Sequence, residues 1–270
     1  MLKSTNIAFI GGGNMSEALI KGLIAGGVPA SAIAVSEPLE ARRSHLANTY
    51  GIIVTDDNVT ATRHAPVVIL AVKPQVAPSV FFALSTTLAP DTLLISVMAG
   101  ITSQSIERPF SVPVRVVRVM PNTPALALAG ASAIAGGASA TANDLILAQE
   151  IFSLVGKTWI VEEKLMDAVT GISGSGPAYV LSFIEALSDA GVKHGLARET
   201  ALGLAAQTVL GTAQLLLNTG EHPAVLRDKV TSPGGTTIAG LYALASHGFH
   251  GTVMAGAEAA IQRSKELAGK

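Results

Sequence analysis

The chain reads as an α/β protein, a doubly wound parallel sheet followed by an all-helical domain, and three observations predict this. A short β-type run, Ile7-Ala8-Phe9-Ile10, stops at Gly11-Gly12-Gly13 and passes straight into a helix-compatible segment. Apolar β-branched runs then alternate with helical stretches and end in Gly, Pro or Asn, the rhythm of strand, crossover and strand. Beyond Trp159-Ile160-Val161 the strand signals stop, and stretches rich in Ala, Gly and Leu follow.

Taken in order, the glycine turn leads into a helix over 16–25 that Gly26-Gly27 ends. Ile33-Ala34-Val35 is a second strand, closing at Ser36-Glu37-Pro38. A helix carrying Arg42 and Arg43 comes next, then the strand Ile52-Ile53-Val54 and a polar turn, Asp56-Asp57-Asn58. The run 67–72 is continuously apolar, as a strand covered on both faces must be, and ends in Lys73-Pro74-Gln75. Strands over 93–97 and 114–120 end in Ala99-Gly100 and Pro121-Asn122-Thr123-Pro124. Ligands of such a sheet lie beyond the carboxyl ends of the strands, where these residues fall. Helices are expected over 177–190, 198–217, 222–229, 236–246 and 251–267. The domain boundary is placed at 163, giving a dinucleotide-binding domain over 1–163 and a helical domain over 164–270.

Composition narrows the classes. With 18 basic and 19 acidic residues there is no electrostatic case for nucleic acid or an anionic membrane. The chain has no cysteine, which excludes disulfides and thiolate chemistry and fits a cytoplasmic protein. The start, Met1-Leu2-Lys3-Ser4-Thr5, leaves no room for a signal peptide ahead of the first strand. The stretch 200–220 is uncharged and long enough to span a bilayer, but it contains Gln207, Thr208, Thr212, Gln214 and Asn218. It reads better as a helix buried between subunits. His45, His64, His194, His222, His247 and His250 show no metal-ligand spacing, so they read as surface or structural residues and no metal is expected.

Three constellations carry chemistry. The first is Gly11-x-Gly13-x-x-Ser16, a dinucleotide fingerprint with serine at its third position. Gly11 permits the turn, Gly13 lets backbone approach a pyrophosphate, and the helix start behind them offers free N–H groups. At the end of the second strand Glu37 stands where an acid would hold a ribose 2′-hydroxyl, while Ser36, Arg42 and Arg43 would suit a 2′-phosphate. The balance leans to NADH, with NADPH open. Lys73 closes a strand where a cofactor would pass. The second constellation, Gly171-Ile172-Ser173-Gly174-Ser175-Gly176-Pro177-Ala178-Tyr179-Val180, fits both a plain helix start and a flexible turn against a ligand. The third runs from Val230 to Leu241: a Pro233-Gly234-Gly235 turn delivers Thr236 and Thr237 to a helix opening, where N–H groups could hold a carboxylate.

In this order the constellations resemble the Δ1-pyrroline-5-carboxylate reductase family, which makes L-proline. The matching stretches are Phe9 to Met15, Leu70 to Gln75, Met120 to Ala125, Thr170 to Tyr179 and Val230 to Leu241. The resemblance implies a Rossmann domain, a helical dimerisation domain, and a homodimer that gathers further into a decamer. It implies that Ile10, Gly11, Gly12, Gly13, Asn14 and Met15 meet the pyrophosphate of NADPH or NADH, and that Ser36, Glu37 and Asn58 meet the adenosine side. Ala71, Val72, Lys73, Pro74, Val97, Met98, Ala99, Gly100 and Asn122 would line the nicotinamide side. Ser232, Gly234, Gly235, Thr236 and Thr237 would hold 1-pyrroline-5-carboxylate, Thr237 as catalytic partner of the ring nitrogen, with Glu163 and Ser175 alongside. Glu37 departs from the Ser, Asn or Arg of many members, and Lys229 from a substrate-contacting Asn of some. Two other readings compete: a β-hydroxyacid dehydrogenase, which would need a lysine that 177–190 lacks, and a non-catalytic NAD(P)H sensor.

Overall fold

The computed structural model describes residues 2–63 and 65–269; His64 lies outside them. The chain divides into two compact units, Met1–Ser175 with Ala260–Lys270, and Gly176–Ala259. The division falls later than the boundary read at 163.

The first unit opens with β1 (Ile7–Ile10), α1 (Asn14–Ala25), β2 (Ile33–Ser36), α2 (Glu40–Tyr50), β3 (Ile53–Thr55) and α3 (Asn58–Thr62). It continues with β4 (Val67–Leu70), α4 (Ala77–Ser85), β5 (Leu93–Ser96), α5 (Ser103–Glu107) and β6 (Arg115–Met120). The sheet order is β3-β2-β1-β4-β5-β6, all parallel. Chain order reverses between β1 and β4, so the crevice at their carboxyl ends is the place for a ligand. Side chains alternate as strands require. Ile7, Phe9, Ile33 and Val35 enter one core with Leu19, Leu23 and Phe152, and Ala8, Ile10, Val68 and Leu70 enter a second core with Phe81 and Leu84. Both faces are therefore covered, and the apolar runs follow from that.

The sheet is mainly parallel, as expected, and its far edge adds one antiparallel pairing. A strand β7 (Gly130–Gly136) runs antiparallel to β6, and β8 (Gly156–Ile160) pairs parallel to β7. The link over 121–129 is one 3₁₀ turn, Thr123–Ala127, too short for the crossover a parallel neighbour needs. Between β7 and β8 lies α6 (Ala142–Ser153), long enough for a crossover. Thr141 and Asp144 form a reciprocal capping box at its start, and Asp144 also pairs with Arg115 of β6 at 2.7 Å.

The stretch 171–180 follows the helix-start reading, with a wide helical turn ahead of Pro177. Here α7 (Met166–Val169) runs into a π-helical turn, Thr170–Gly174, and on to α8 (Gly176–Lys193). The Ser175 N–H donates to the Thr170 carbonyl at 2.8 Å, closing the wide turn. The second unit holds α8, α9 (Arg198–Thr219), α10 (Pro223–Lys229), α11 (Thr236–Ser246) and most of α12 (Phe249–Leu267). Helix α8 extends past the expected end at 190, so Lys193 is its last residue and exposed. Helix α9 is long and apolar enough to cross a membrane by length and composition, yet Ala201 and Ala205 are its only buried residues in one chain.

Candidate active site

At the turn after β1, Gly11 has φ +97°, and its N–H donates to the Ser36 carbonyl at 2.8 Å. A Cβ at Gly11 would stand 2.7 Å from the Ala71 carbonyl oxygen, so glycine is required twice over, by conformation and by space. Gly12 is hemmed in as well, its would-be Cβ lying 2.9 Å from Leu46 and 3.2 Å from Glu37. Gly13 differs. It has φ −69°, sits at the N-cap of α1 with no side-chain cap, and has nothing within 4 Å of where a Cβ would be. The first N–H groups of α1 thus have no side-chain cap, and the helix dipole would favour an anion such as a pyrophosphate there. The serine of the fingerprint is explained too. Ser16 is fully buried, and its hydroxyl donates to the Gly11 carbonyl at 2.6 Å, tying helix to turn.

The ends of the neighbouring strands complete the bed. Glu37 is buried beneath the turn, its Oε2 accepting from the Gly12 N–H at 2.8 Å and its Oε1 from the Leu39 N–H at 3.0 Å. Ser36 donates to the Asn58 side-chain oxygen at 2.7 Å. The polar turn before Asn58 is a helix start, in which Asp57 caps α3 by accepting from the Val59 and Thr60 N–H groups. The two arginines are committed. Arg42 donates to the Gly12 carbonyl at 2.5 Å and pairs with Glu17 at 2.6 Å, and Arg43 donates to the carbonyls of Glu37 and Pro38. Ala71 and Val97 extend the ladder, their N–H groups donating to the Ile10 and Leu70 carbonyls. Lys73, Pro74 and Ala99 are exposed, Val72 is half-buried, and Met98 and Gly100 are buried.

Ile10 to Met15, Ser36, Glu37, Asn58, Ala71 to Pro74 and Val97 to Gly100 therefore gather at the carboxyl ends of β1, β2, β4 and β5 and the helix starts behind them. Asn122 is more tied. Its Oδ1 accepts from the Ala131 N–H at 2.8 Å and its amide nitrogen reaches Ser173 at 3.4 Å, bracing β7 against the π-helical turn. Glu163 is likewise occupied, by Ser103 and Arg118. Sequence reading passed over those two partners, as it did Glu17, Tyr50 and the hydroxyl of Ser16. A buried arginine inside an apolar strand, Arg118 in Arg115–Met120, was the available signal.

In the second unit Ser232, Pro233, Gly234 and Gly235 form a tight turn. The Gly235 N–H donates to the Ser232 carbonyl at 3.1 Å, and Gly234 has φ +67°, the pattern of a type II turn with Pro at its second position. A Cβ at Gly235 would collide with the Ser232 hydroxyl. Gly235 is the N-cap of α11 and provides no side-chain cap. Thr236 is exposed and Thr237 half-buried. Ser175 is half-buried at the end of the π-helical turn. Among the described residues no group of three His, Asp or Glu could hold a metal ion.

The fold and the glycine turn define a dinucleotide-dependent oxidoreductase of the Rossmann type, and comparison with known proteins agrees. A family model described as "NADP oxidoreductase coenzyme F420-dependent" matches residues 6–100, and one described as "Pyrroline-5-carboxylate reductase dimerisation" matches 163–267. A pyrroline-5-carboxylate reductase of Synechocystis sp. is 48% identical over 99% of this chain and 100% of its own. A solved pyrroline-5-carboxylate reductase of Coxiella burnetii superposes with a TM-score of 0.93 at 37% identity, covering 98% of this chain and 99% of the other. One from Plasmodium falciparum, with NADP bound, gives 0.89 at 33%, again over 98% and 99%. The chain belongs to the pyrroline-5-carboxylate reductase family, whose reaction, the last step of proline biosynthesis, reduces 1-pyrroline-5-carboxylate to L-proline.

Proposed function

We propose that the first unit binds NADH or NADPH along the bed of β1, β2, β4 and β5, and that the start of α11 holds the pyrroline ring and its carboxylate. The observation that carries this is a pair of helix starts without side-chain caps, Gly13 before α1 and Gly235 before α11, each ready for an anion. The reduced nicotinamide supplies the hydride. The substrate's C=N bond also needs a proton on nitrogen, and an imine that arrives protonated brings its own. The residues then have only to orient and hold, which can be worth up to about 7–11 kcal/mol. Free N–H groups of α11 grip the carboxylate, and the Thr237 hydroxyl hydrogen-bonds the ring nitrogen. Its pKa is too high for it to serve as a strong acid. Ser232, Gly234, Thr236 and Ser175 shape the pocket around it.

Glu37 supports NADH. A buried carboxylate stands at the end of β2, and the guanidinium groups that would hold a 2′-phosphate are bound to backbone carbonyls and Glu17. Apolar residues exposed on α9, including Leu204 at 57% and Leu217 at 75%, support a homodimer formed through this unit, with a decamer as the further assembly. A cytoplasmic location fits the cysteine-free chain. The test is oxidation of NADH and of NADPH with pyrroline-5-carboxylate supplied, on a sample whose mass is measured by light scattering. Glu37→Ser is expected to shift the preference toward NADPH. Cofactor binding without turnover would sink the enzymatic reading, and turnover of a hydroxyacid with the oxidised cofactor would favour the dehydrogenase alternative.

A further inference from the structure

Glu163 precedes α7, and its carboxylate gathers three donors. The Ser103 N–H reaches Oε1 at 2.7 Å, the Ser103 hydroxyl reaches Oε2 at 2.5 Å, and the Arg118 guanidinium reaches Oε1 at 2.9 Å. Arg118 is buried on β6 in register with Ser96, the last residue of β5. The segment 97–102 starts at that strand end and finishes at Thr102, whose side chain caps α5. Its upstream end is held by the sheet, through Val97 N–H to the Leu70 carbonyl at 3.1 Å and Met98 N–H to the Ser96 hydroxyl oxygen at 3.3 Å. Its downstream end is held by Glu163 through Ser103. Between them Gly100, at φ +73°, turns the chain. All of these groups lie in the first unit.

We propose that Glu163 is a positioning residue for the nicotinamide half of the cofactor, fixing the shape of Val97–Gly100, and is not a ligand of the substrate. This rests on the reading that Val97–Gly100 line the nicotinamide. The electrostatics agree. Burial alone would raise the Glu163 carboxyl, but the Ser103 hydroxyl and N–H and the charge of Arg118 outweigh it and hold the group below its usual range. The charged form is therefore kept as a fixed anchor. Ser103 accordingly becomes part of the same device.

The experiment measures dissociation constants of the full-length protein for NADH, NADPH, ADP-ribose and 2′-phospho-ADP-ribose, with steady-state kinetics alongside. Glu163→Gln keeps the shape and strands Arg118, and Ser103→Ala is the milder second variant should the first fold poorly. Both are expected to weaken the complete cofactor roughly tenfold and to lower kcat, leaving the nicotinamide-free halves and the KM for pyrroline-5-carboxylate within about twofold of wild type. A raised KM for pyrroline-5-carboxylate with cofactor binding intact would return Glu163 to the substrate and overturn the proposal. Equal weakening of ADP-ribose and NADH would show a merely structural part and overturn it, as would no change in either variant. If the wild type itself binds ADP-ribose as tightly as NADH, the nicotinamide assignment fails first, a result distinct from any variant's.

Discussion

The two glycine-bearing turns solve the same problem in opposite ways. At Gly11–Gly13 nearly every polar group has a partner inside the first unit: Ser16 on the Gly11 carbonyl, Glu37 on the Gly12 N–H, and Arg42 on the Gly12 carbonyl. At Ser232–Gly235 the turn closes only on itself, and among the described residues no hydrogen bond uses the Thr236 or Thr237 hydroxyl. Among the described residues the buried apolar core lies in the first unit, Ala201 and Ala205 excepted, whereas the second leaves Leu181, Leu204, Leu217, Tyr242 and Met254 exposed. One turn is organised by the chain that carries it. The other is left to be completed by a ligand. Rigid preorganisation suits a large cofactor with many fixed contacts, while the small imine can be held by few.

The sharpest way to break that comparison lies within the first turn. Gly13→Val adds bulk into open space at a φ any residue adopts. It is expected to leave the melting temperature nearly unchanged while weakening NADH by about a hundredfold or more, since the side chain would occupy the place proposed for the pyrophosphate. Gly11→Ala must instead strain the turn itself, so melting temperature and cofactor binding should fall together, by roughly 2–4 kcal/mol in stability. Calorimetry with and without NADH separates the two. Equal thermal losses would mean Gly13 is structural after all.

Next in size is the exposed turn. Thr237→Ala is expected to lower kcat/KM for pyrroline-5-carboxylate by about ten- to a thousandfold, the span of one good hydrogen bond plus positioning. Melting temperature should hold, because no bond within the unit uses that hydroxyl. Turnover like that of the wild type would remove Thr237 from the site and leave the second turn an ordinary helix start.

Much of this was legible in the sequence, and the misses have physical causes. The glycine turn, the strands over 67–70 and 93–96 and the helices from 198 onward follow from periodicity and from Gly and Pro punctuation. Strand β7, Gly-Ala-Ser-Ala-Ile-Ala-Gly, escaped because its small residues carry little β-propensity, and its pairing with β6 is tertiary. The wide turn 170–174 was not legible as π-helical because Gly171 and Gly174 suggest a break, whereas Gly174 is small for contact: a Cβ there would lie 2.6 Å from Met120. Arg42 and Arg43 were legible as cations near the adenosine side. That they spend themselves on backbone carbonyls depends on how α2 is set behind the turn, which no spacing rule encodes.

That setting yields the smallest effect, and it can be isolated by pH. Glu17, in the first turn of α1, accepts from Arg42 at 2.6 Å, from Tyr50 at 3.0 Å, and meets the His45 ring at 2.9 Å, so one carboxylate fastens α2 to α1 behind the cofactor turn. Burial acting alone would raise its pKa. The hydrogen bonds from His45, Arg42 and Tyr50 and the charge of Arg42 outweigh that and hold it at about 2, against an ordinary 4.5. A carboxyl depressed in the folded state contributes stability that is complete above 4.5 and is lost as pH falls toward 2. Glu17→Gln should therefore cost about 1 kcal/mol at neutral pH, typical of a partly exposed charged bond. The deficit should shrink on acidification, because the wild type gives up the same interaction there. Urea midpoints of the two proteins across that range read the difference directly, other carboxyls cancelling between them. A deficit that stays constant down to pH 2 would mean that packing of the Glu17 stem, and not its charge, joins the helices. In that case the first turn's organisation would owe less to paired charges than to shape.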